Sequence, residues 1–419
     1  MTLLDRGLEQ ISDPAWQGLF RLRKGRWMLQ HDKIDEGIAL IRGFVAAQPG
    51  PEQADAVQME LAEALLDRGL YDKALTEFQN YLETFTDKPG TLRAQQGKGG
   101  ALFHLDRFAE AAAAFEKAAE SASDPLVQAP LRLQMGRALL AAGQPTLAIK
   151  TYAAIRDQWP ETAFADQASF QIAECWARLN EPERARDLFW DLFDLDPEGE
   201  LADAARLRIA DLERTLGRRE AAGRLYADLA HSARPPARAH ALFGLGLLAY
   251  ENDDYGQARA FFEEAGSSGP ADLEARSRYL AAWCRVRMGQ MDQALLEFRT
   301  FVDRYRGSAW APDALFWLGE QDFNQGRYGA AESAFLTVAQ RYPRAAVAEA
   351  ALFWAGRAAL LQHEYRRANL HLARLVTDYP SGARRPDARF YQGAALAELG
   401  EFSAAILLFD ELIKQHPDH

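Results

Sequence analysis

The sequence predicts an all-α chain, a right-handed superhelical α-solenoid of about eleven helix–turn–helix repeats, and three observations carry the prediction. A register residue, mostly large, returns at intervals of 36 or 37 along the 419 residues. Small residues keep fixed distances on both sides of it, and a turn-forming residue always stands two positions before it. A repeated unit that cannot bury its apolar face alone is stable only by stacking on its neighbours, so such a chain grows one core by addition.

The register falls at Ile34, Tyr71, Phe108, Pro145, Pro182, Arg219, Tyr255, Met291, Tyr328, Tyr365 and Phe402. Three positions later comes Gly37 in the first copy and alanine in the other ten, from Ala74 to Ala405. Seven positions later stands a large apolar or aromatic residue, such as Phe78, Tyr152, Tyr226, Phe298, Phe335 or Phe409. Offsets of about three and seven lie on one face of a helix, so the register residue opens an amphipathic second helix.

The first helix is read from the positions upstream. Nine before the register there is only Gly or Ala, including Gly25, Gly136, Ala173, Gly319 and Gly393. Opposed small residues let two backbones approach until their large neighbours interlock. The helix ends at Asp32, Gly69, Asp106, Gly143, Asn180, Gly217, Asp253, Gly289, Gly326, His363 and Gly400, a set rich in residues that tolerate the left-handed conformation. Pro145 and Pro182 begin second helices, where a missing N–H costs nothing. Pro49, Pro160, Pro197, Pro270, Pro343, Pro380 and Pro417 end them, with Pro89, Pro125 and Pro235 expected to do so slightly late.

This pattern resembles the tetratricopeptide repeat over residues 15–417. One copy alone shows the small Gly319, the turn Gly326, then Tyr328, Ala331, Phe335 and Pro343. The period is about three residues longer than that family's norm. Together with Tyr379-Pro-Ser-Gly and Ala314-Leu-Phe-Trp-Leu-Gly, this resembles the long-repeat subgroup of bacterial envelope proteins, which includes the Tol–Pal coordinating protein and the lipoprotein of the outer-membrane β-barrel assembly machine.

Residues 1–14 are expected to form a partial or capping helix, 15–236 repeats one to six, and 237–419 repeats seven to eleven. Repeat six is the least regular, with Glu213 and Arg214 at normally apolar sites and Arg219 at the register. A hinge or change of curvature is expected at 213–238. The second helix of repeat eleven, with Ile406, Leu407 and Phe409, has no following helix to cover it, so the terminal repeats are expected to dock on a partner.

A net charge of -12 opposes a nucleic-acid or anionic-membrane surface, because phosphate binding needs a dominant positive field. No apolar run is long enough to span a bilayer. Met1-Thr-Leu-Leu-Asp-Arg lacks the regions of a signal peptide, so either the chain stays in the cytosol or its leader lies outside this sequence. Cys175 and Cys284 occupy a position that other repeats fill with alanine and read as small core residues. Neither a catalytic constellation nor metal-ligand spacing is found, and no enzyme activity, metal or cofactor is expected.

The candidate partner groove runs along the first helices at twelve and five positions before the register. It comprises Phe243, Tyr250, Tyr279, Phe316, Phe323, Phe353 and Phe390, with Trp283 nearby. The family resemblance places these positions on a concave groove that receives peptides, where aromatics serve as anchors. The other reading is core packing, favoured by Arg132, Arg206, Arg278 and Arg389 at the preceding position. Glu320, Arg357, Arg287 and Asn324 lie beside the line, either to read a ligand or as solvated helix charges. Arginine runs at 214–224 and 366–385 read either as docking points for an acidic partner or as surface ion pairs with Glu213, Glu220 and Glu364.

The functional expectation is a non-enzymatic scaffold for protein or peptide partners, periplasmic or outer-membrane-associated on the subgroup resemblance and acting in envelope assembly or maintenance. The alternative is a cytoplasmic regulatory or sensor module of a larger signalling or transcription protein.

Overall fold

The computed structural model describes residues 13–47, 51–86, 88–231 and 234–415. Among them are 22 α-helices and no strand. They pair as α1 (Pro14–Gln30) with α2 (Ile34–Ala47), α3 (Pro51–Asp67) with α4 (Tyr71–Thr84), α5 (Thr91–His104) with α6 (Phe108–Ser121), and α7 (Pro125–Ala141) with α8 (Pro145–Gln158). Next come α9 (Ala163–Arg178) with α10 (Pro182–Leu195), α11 (Ala202–Thr215) with α12 (Arg219–Ala230), α13 (Pro235–Glu251) with α14 (Tyr255–Ser268), and α15 (Ala271–Arg287) with α16 (Met291–Arg304). The last pairs are α17 (Ala311–Asn324) with α18 (Tyr328–Arg341), α19 (Ala348–Leu361) with α20 (Tyr365–Asp378), and α21 (Arg385–Glu398) with α22 (Phe402–Gln415). The chain is an all-α repeat solenoid. No described helix is long and apolar enough to cross a membrane. Most of the expected terminal helix at 1–14, and the expected helix terminators Pro49 and Pro417, lie outside the described residues.

Every second helix begins on its register residue. The turn before it is the same eleven times. Its turn residue is left-handed throughout, at φ 58 to 61° for Asp32, Asp106, Asn180, Asp253 and His363, and 73 to 79° for the six glycines. The following N–H reaches back to the carbonyl five residues earlier, as in Lys33 to Met28 (3.0 Å), Gln144 to Leu139 (2.9 Å) and Arg327 to Asp322 (2.8 Å). This double closure satisfies the last carbonyls of the first helix, which no side chain could otherwise reach.

Where the notch is glycine, the hairpin closes by seating the residue at plus seven in that notch of its own first helix. A Cβ on Gly99 would stand 2.7 Å from the Phe115 ring, and one on Gly319 2.8 Å from Phe335. In repeat one, with glycine on both helices, the backbones themselves meet: a Cβ on Gly37 would lie 2.9 Å from the Gly25 carbonyl oxygen. The plus-seven residues are buried in the first ten repeats. Phe409 is half-buried, and Phe402, Ile406 and Leu407 around it on α22 are exposed.

Two prolines depart from the expected pattern. Pro125 and Pro235 do not end second helices; they are the first residues of α7 and α13. Proline's fixed φ suits a first helical position, and Asp124 caps α7 by accepting from the Leu126 N–H at 2.9 Å.

The chain forms two compact units, Met1–Leu212 and Glu213–His419. In the second unit, the irregular start of repeat six is a polar substitute for an apolar contact. Arg214 holds Glu251 at 2.5 Å and is hydrogen-bonded to the Tyr226 hydroxyl. Arg219 donates to Asn252 at 3.1 Å, and buried Glu213 pairs with Arg218 at 3.5 Å.

Candidate functional site

In the second unit the aromatic line is placed as follows. Phe243, Tyr279 and Phe353 are buried. Phe243 rests on Phe262 with the Arg276 guanidinium 4.7 Å above its ring, and Tyr279 stacks on Trp310 at 5.3 Å. Tyr250, Trp283, Phe316 and Phe323 are half-buried. Tyr250 meets Tyr255 edge-on at 5.2 Å, Phe316 leans on Phe335 at 5.3 Å, and Phe323 abuts Trp354 at 5.1 Å. Phe390 alone among them is largely exposed, at 47%.

The reason lies one position further along. Eleven before the register, repeats eight to eleven carry Leu280, Trp317, Trp354 and Tyr391. These large side chains fill the space between successive first helices: Trp317 covers Phe298 at 4.6 Å and Trp283 at 5.5 Å. Of the polar candidates, Arg357 lies at Tyr391. Arg357 donates to its hydroxyl at 2.8 Å and lies 4.2 Å from its ring centre. Burial pushes the Glu320 carboxyl above the ordinary glutamate value, with the Arg384 charge opposing. Arg287 is exposed and donates to Tyr255 at 2.5 Å; Asn324 is exposed. In the 214–224 run, Arg214, Arg218, Arg219 and Arg224 all lie within ion-pair distance of glutamates.

In repeats four and five, in the first unit, the same register position opens onto a cavity. Repeats four and five carry Gln134 and Gln171 where the second unit has tryptophan, and an open cavity of about 680 Å³ lies across the first helices. Phe103, Leu133, Leu140, Phe170 and Leu201 form its apolar wall, and Gln134, Gln167, Gln171, Arg137 and Arg178 its polar one. This size and mixture suit a short segment of ligand. Arg137 lies 5.1 Å from the Phe103 ring, and neither it nor Arg178 has a carboxylate within ion-pair distance among the described residues. The nearby Glu174 is held by Arg208 at 2.5 Å.

Tyr152 of α8 also lines this cavity. Its ring sits against Gly136, where a Cβ would fall 2.4 Å from Cε1, and the side chain is fully buried. Among the described residues its hydroxyl has no hydrogen-bond partner. Burial pushes this phenol far above the ordinary tyrosine value, so it stays protonated and able to donate. Buried polar groups normally find a partner, so an orphan hydroxyl on a residue that lines a cavity makes that cavity a candidate site.

The tetratricopeptide repeat family model matches residues 22–89, 59–125, 133–200, 207–272, 279–346 and 354–419. The chain belongs to the tetratricopeptide repeat family. A tetratricopeptide repeat protein from Parabacteroides merdae is similar at 12% identity and a TM-score of 0.44, over 64% of this chain and 98% of that one. Yeast Tom70 is similar at 12% identity and 0.43, over 96% and 92%. The apo quorum sensor NprR of Bacillus thuringiensis is similar at 11% identity and 0.48, over 77% and 97%. No curated protein matches the chain in sequence.

Within this tetratricopeptide array both cysteines are free and buried, their thiols pushed up by burial to about 11 for Cys175 and about 12 for Cys284. Thiols held protonated in this way are poor nucleophiles. The cavity residues Arg137, Tyr152, Phe170 and Arg178 escaped the sequence reading, which sought large aromatics and found them where they fill space. The available signal was a tyrosine at plus seven in repeat four beside Leu140, where repeat six sets Tyr226 against Arg214.

Proposed function

We propose that the chain is a non-enzymatic interaction scaffold that receives an extended segment of a partner protein in the cavity across the first helices of repeats three to six. Membership of the tetratricopeptide repeat family supports the scaffold role. The observation that carries the site is an open cavity lined by both large apolar side chains and three glutamines. Glutamine amides can pair with the backbone of an extended peptide while the apolar wall takes alternate side chains. The aromatic line of repeats seven to eleven is the secondary face, with Phe390 and the Arg357–Tyr391 pair its accessible part.

A peptide library displayed on phage and panned against the purified chain tests the site. Enriched peptides are expected to lose binding about tenfold or more to Phe170→Ala or Leu133→Ala, and to be indifferent to Phe390→Ala. Binders that ignore both cavity substitutions would refute it.

We further infer a place in the bacterial cell envelope, supported by the 37-residue period and its resemblance to the long-repeat envelope subgroup. Fractionation of the source cells tests this. Recovery with the periplasm or outer membrane is the expected result, and recovery in the cytosol would favour the regulatory-module reading instead.

A further inference from the structure

The orphan hydroxyl of Tyr152 and the two unpaired arginines beside it define what the cavity takes. We propose that it recognises an acidic peptide, one carboxylate of which accepts from the Tyr152 hydroxyl between Arg137 and Arg178 while the neighbouring apolar side chain packs on Leu133, Leu140 and Phe170. This rests on the reading of the cavity as the partner site.

Tyr152 occupies a position that serves elsewhere only to close the hairpin. Nine of the other ten repeats carry a side chain there without a polar atom, Phe115, Phe189 and Phe335 among them; only Tyr226 also carries a hydroxyl, and that one is hydrogen-bonded to Arg214 five residues before its register. The equivalent residue in repeat four is Leu140, which offers no acceptor or donor. A phenylalanine would therefore pack in repeat four as it packs around it, and the hydroxyl contributes nothing to the free fold.

An unsatisfied buried hydroxyl costs stability unless a ligand supplies its partner. The groups around it say which partner. The charges of Arg137 and Arg178 both act on the Tyr152 phenol, and neither has a carboxylate within ion-pair distance among the described residues. Glu174, the acidic group near Cys175 on α9, is occupied by Arg208 from α11. A positive field, a neutral donor and an apolar wall together select a carboxylate beside a large aliphatic or aromatic residue. A hydrogen bond from a buried neutral donor to a charged acceptor supplies roughly tenfold in affinity.

The test uses the full chain and a synthetic set of fluorescent heptapeptides, each with a Leu-Glu pair at a varied position, beside the same set with Leu-Gln. The Leu-Glu peptides are expected to bind, with the Leu-Gln set at least tenfold weaker. Tyr152→Phe should weaken binding about tenfold while the melting temperature of the free protein stays unchanged or rises. Arg137→Gln and Arg178→Gln should each weaken binding and flatten its dependence on salt. Equal binding of the two sets, or binding untouched by Tyr152→Phe, overturns the proposal. A fall in melting temperature on Tyr152→Phe also overturns it, since the hydroxyl would then serve the fold. Failure of the broader reading shows itself separately, as peptides that bind Phe170→Ala as tightly as the wild type.

Discussion

Two tyrosines at one register position, Tyr152 and Tyr226, show how a single neighbour decides what a hydroxyl does. Tyr226 is fully buried and meets Arg214, so removing its oxygen leaves a half-buried guanidinium short of a partner. Tyr226→Phe is expected to lower the stability of the second unit by about 1–2 kcal/mol in denaturant titration, and no loss would show the bond to be idle. Glu320 gives a residue-scale prediction in pH. Its folded pKa is raised by burial, so as pH rises through the unfolded value the unfolded chain releases the proton first. Native stability therefore falls across that window. Glu320→Gln should match the wild type below the glutamate range and exceed it above, by no more than ~0.5 kcal/mol for this half-buried group. A variant less stable at neutral pH than at pH 3, relative to wild type, would contradict the sign.

At the scale of the element, the hairpin turn is the most uniform feature of the chain. Eleven left-handed residues end eleven first helices, six of them glycine. Gly326 has open space where a Cβ would stand, so a side chain there meets no neighbour and pays only for the backbone conformation. Gly326→Ala is expected to cost about 1 kcal/mol, read as a shift in denaturation midpoint without a change in slope. The notch glycines are held by a different constraint. At Gly136 an added methyl would press on the Tyr152 ring at 2.4 Å, and at Gly319 on Phe335 at 2.8 Å, so the cost there comes from overpacking. Gly136→Ala should therefore disturb the cavity wall while Gly326→Ala leaves it intact, a contrast that peptide binding can read.

At the scale of the whole molecule, a stack of repeats passes its stability from neighbour to neighbour, so damage stays close to where it is made. Phe298 is fully buried among Tyr279, Trp283 and Trp317 in the second unit. Phe298→Ala should cost about 3–5 kcal/mol there. Tryptophan fluorescence from Trp283, Trp310 and Trp317 is expected to change at lower denaturant than the helical circular dichroism of the full chain. Coincident transitions would show the chain to unfold as one cooperative body, against the neighbour-by-neighbour expectation.

The sequence by itself determined the repeat register, the beginnings of all eleven second helices, the left-handed turns and the buried cysteines. All of these are local or near-neighbour consequences of residue type: which residues tolerate positive φ, which spacing shares a helix face, which side chain is small enough for a notch. It also picked the register positions that line the first-helix face. Tertiary structure alone decided in which repeats that face is open. Trp317 and Trp354 close it in the second unit by packing on rings contributed by neighbouring repeats, whereas Gln134 and Gln171 leave it open in the first. It likewise decided that Arg214 completes the irregular sixth repeat, through Glu251 from the next repeat and the hydroxyl of Tyr226. Each of these depends on contacts between residues 12 to 37 positions apart, and the side chains that meet there are set by three-dimensional packing rather than by local residue type.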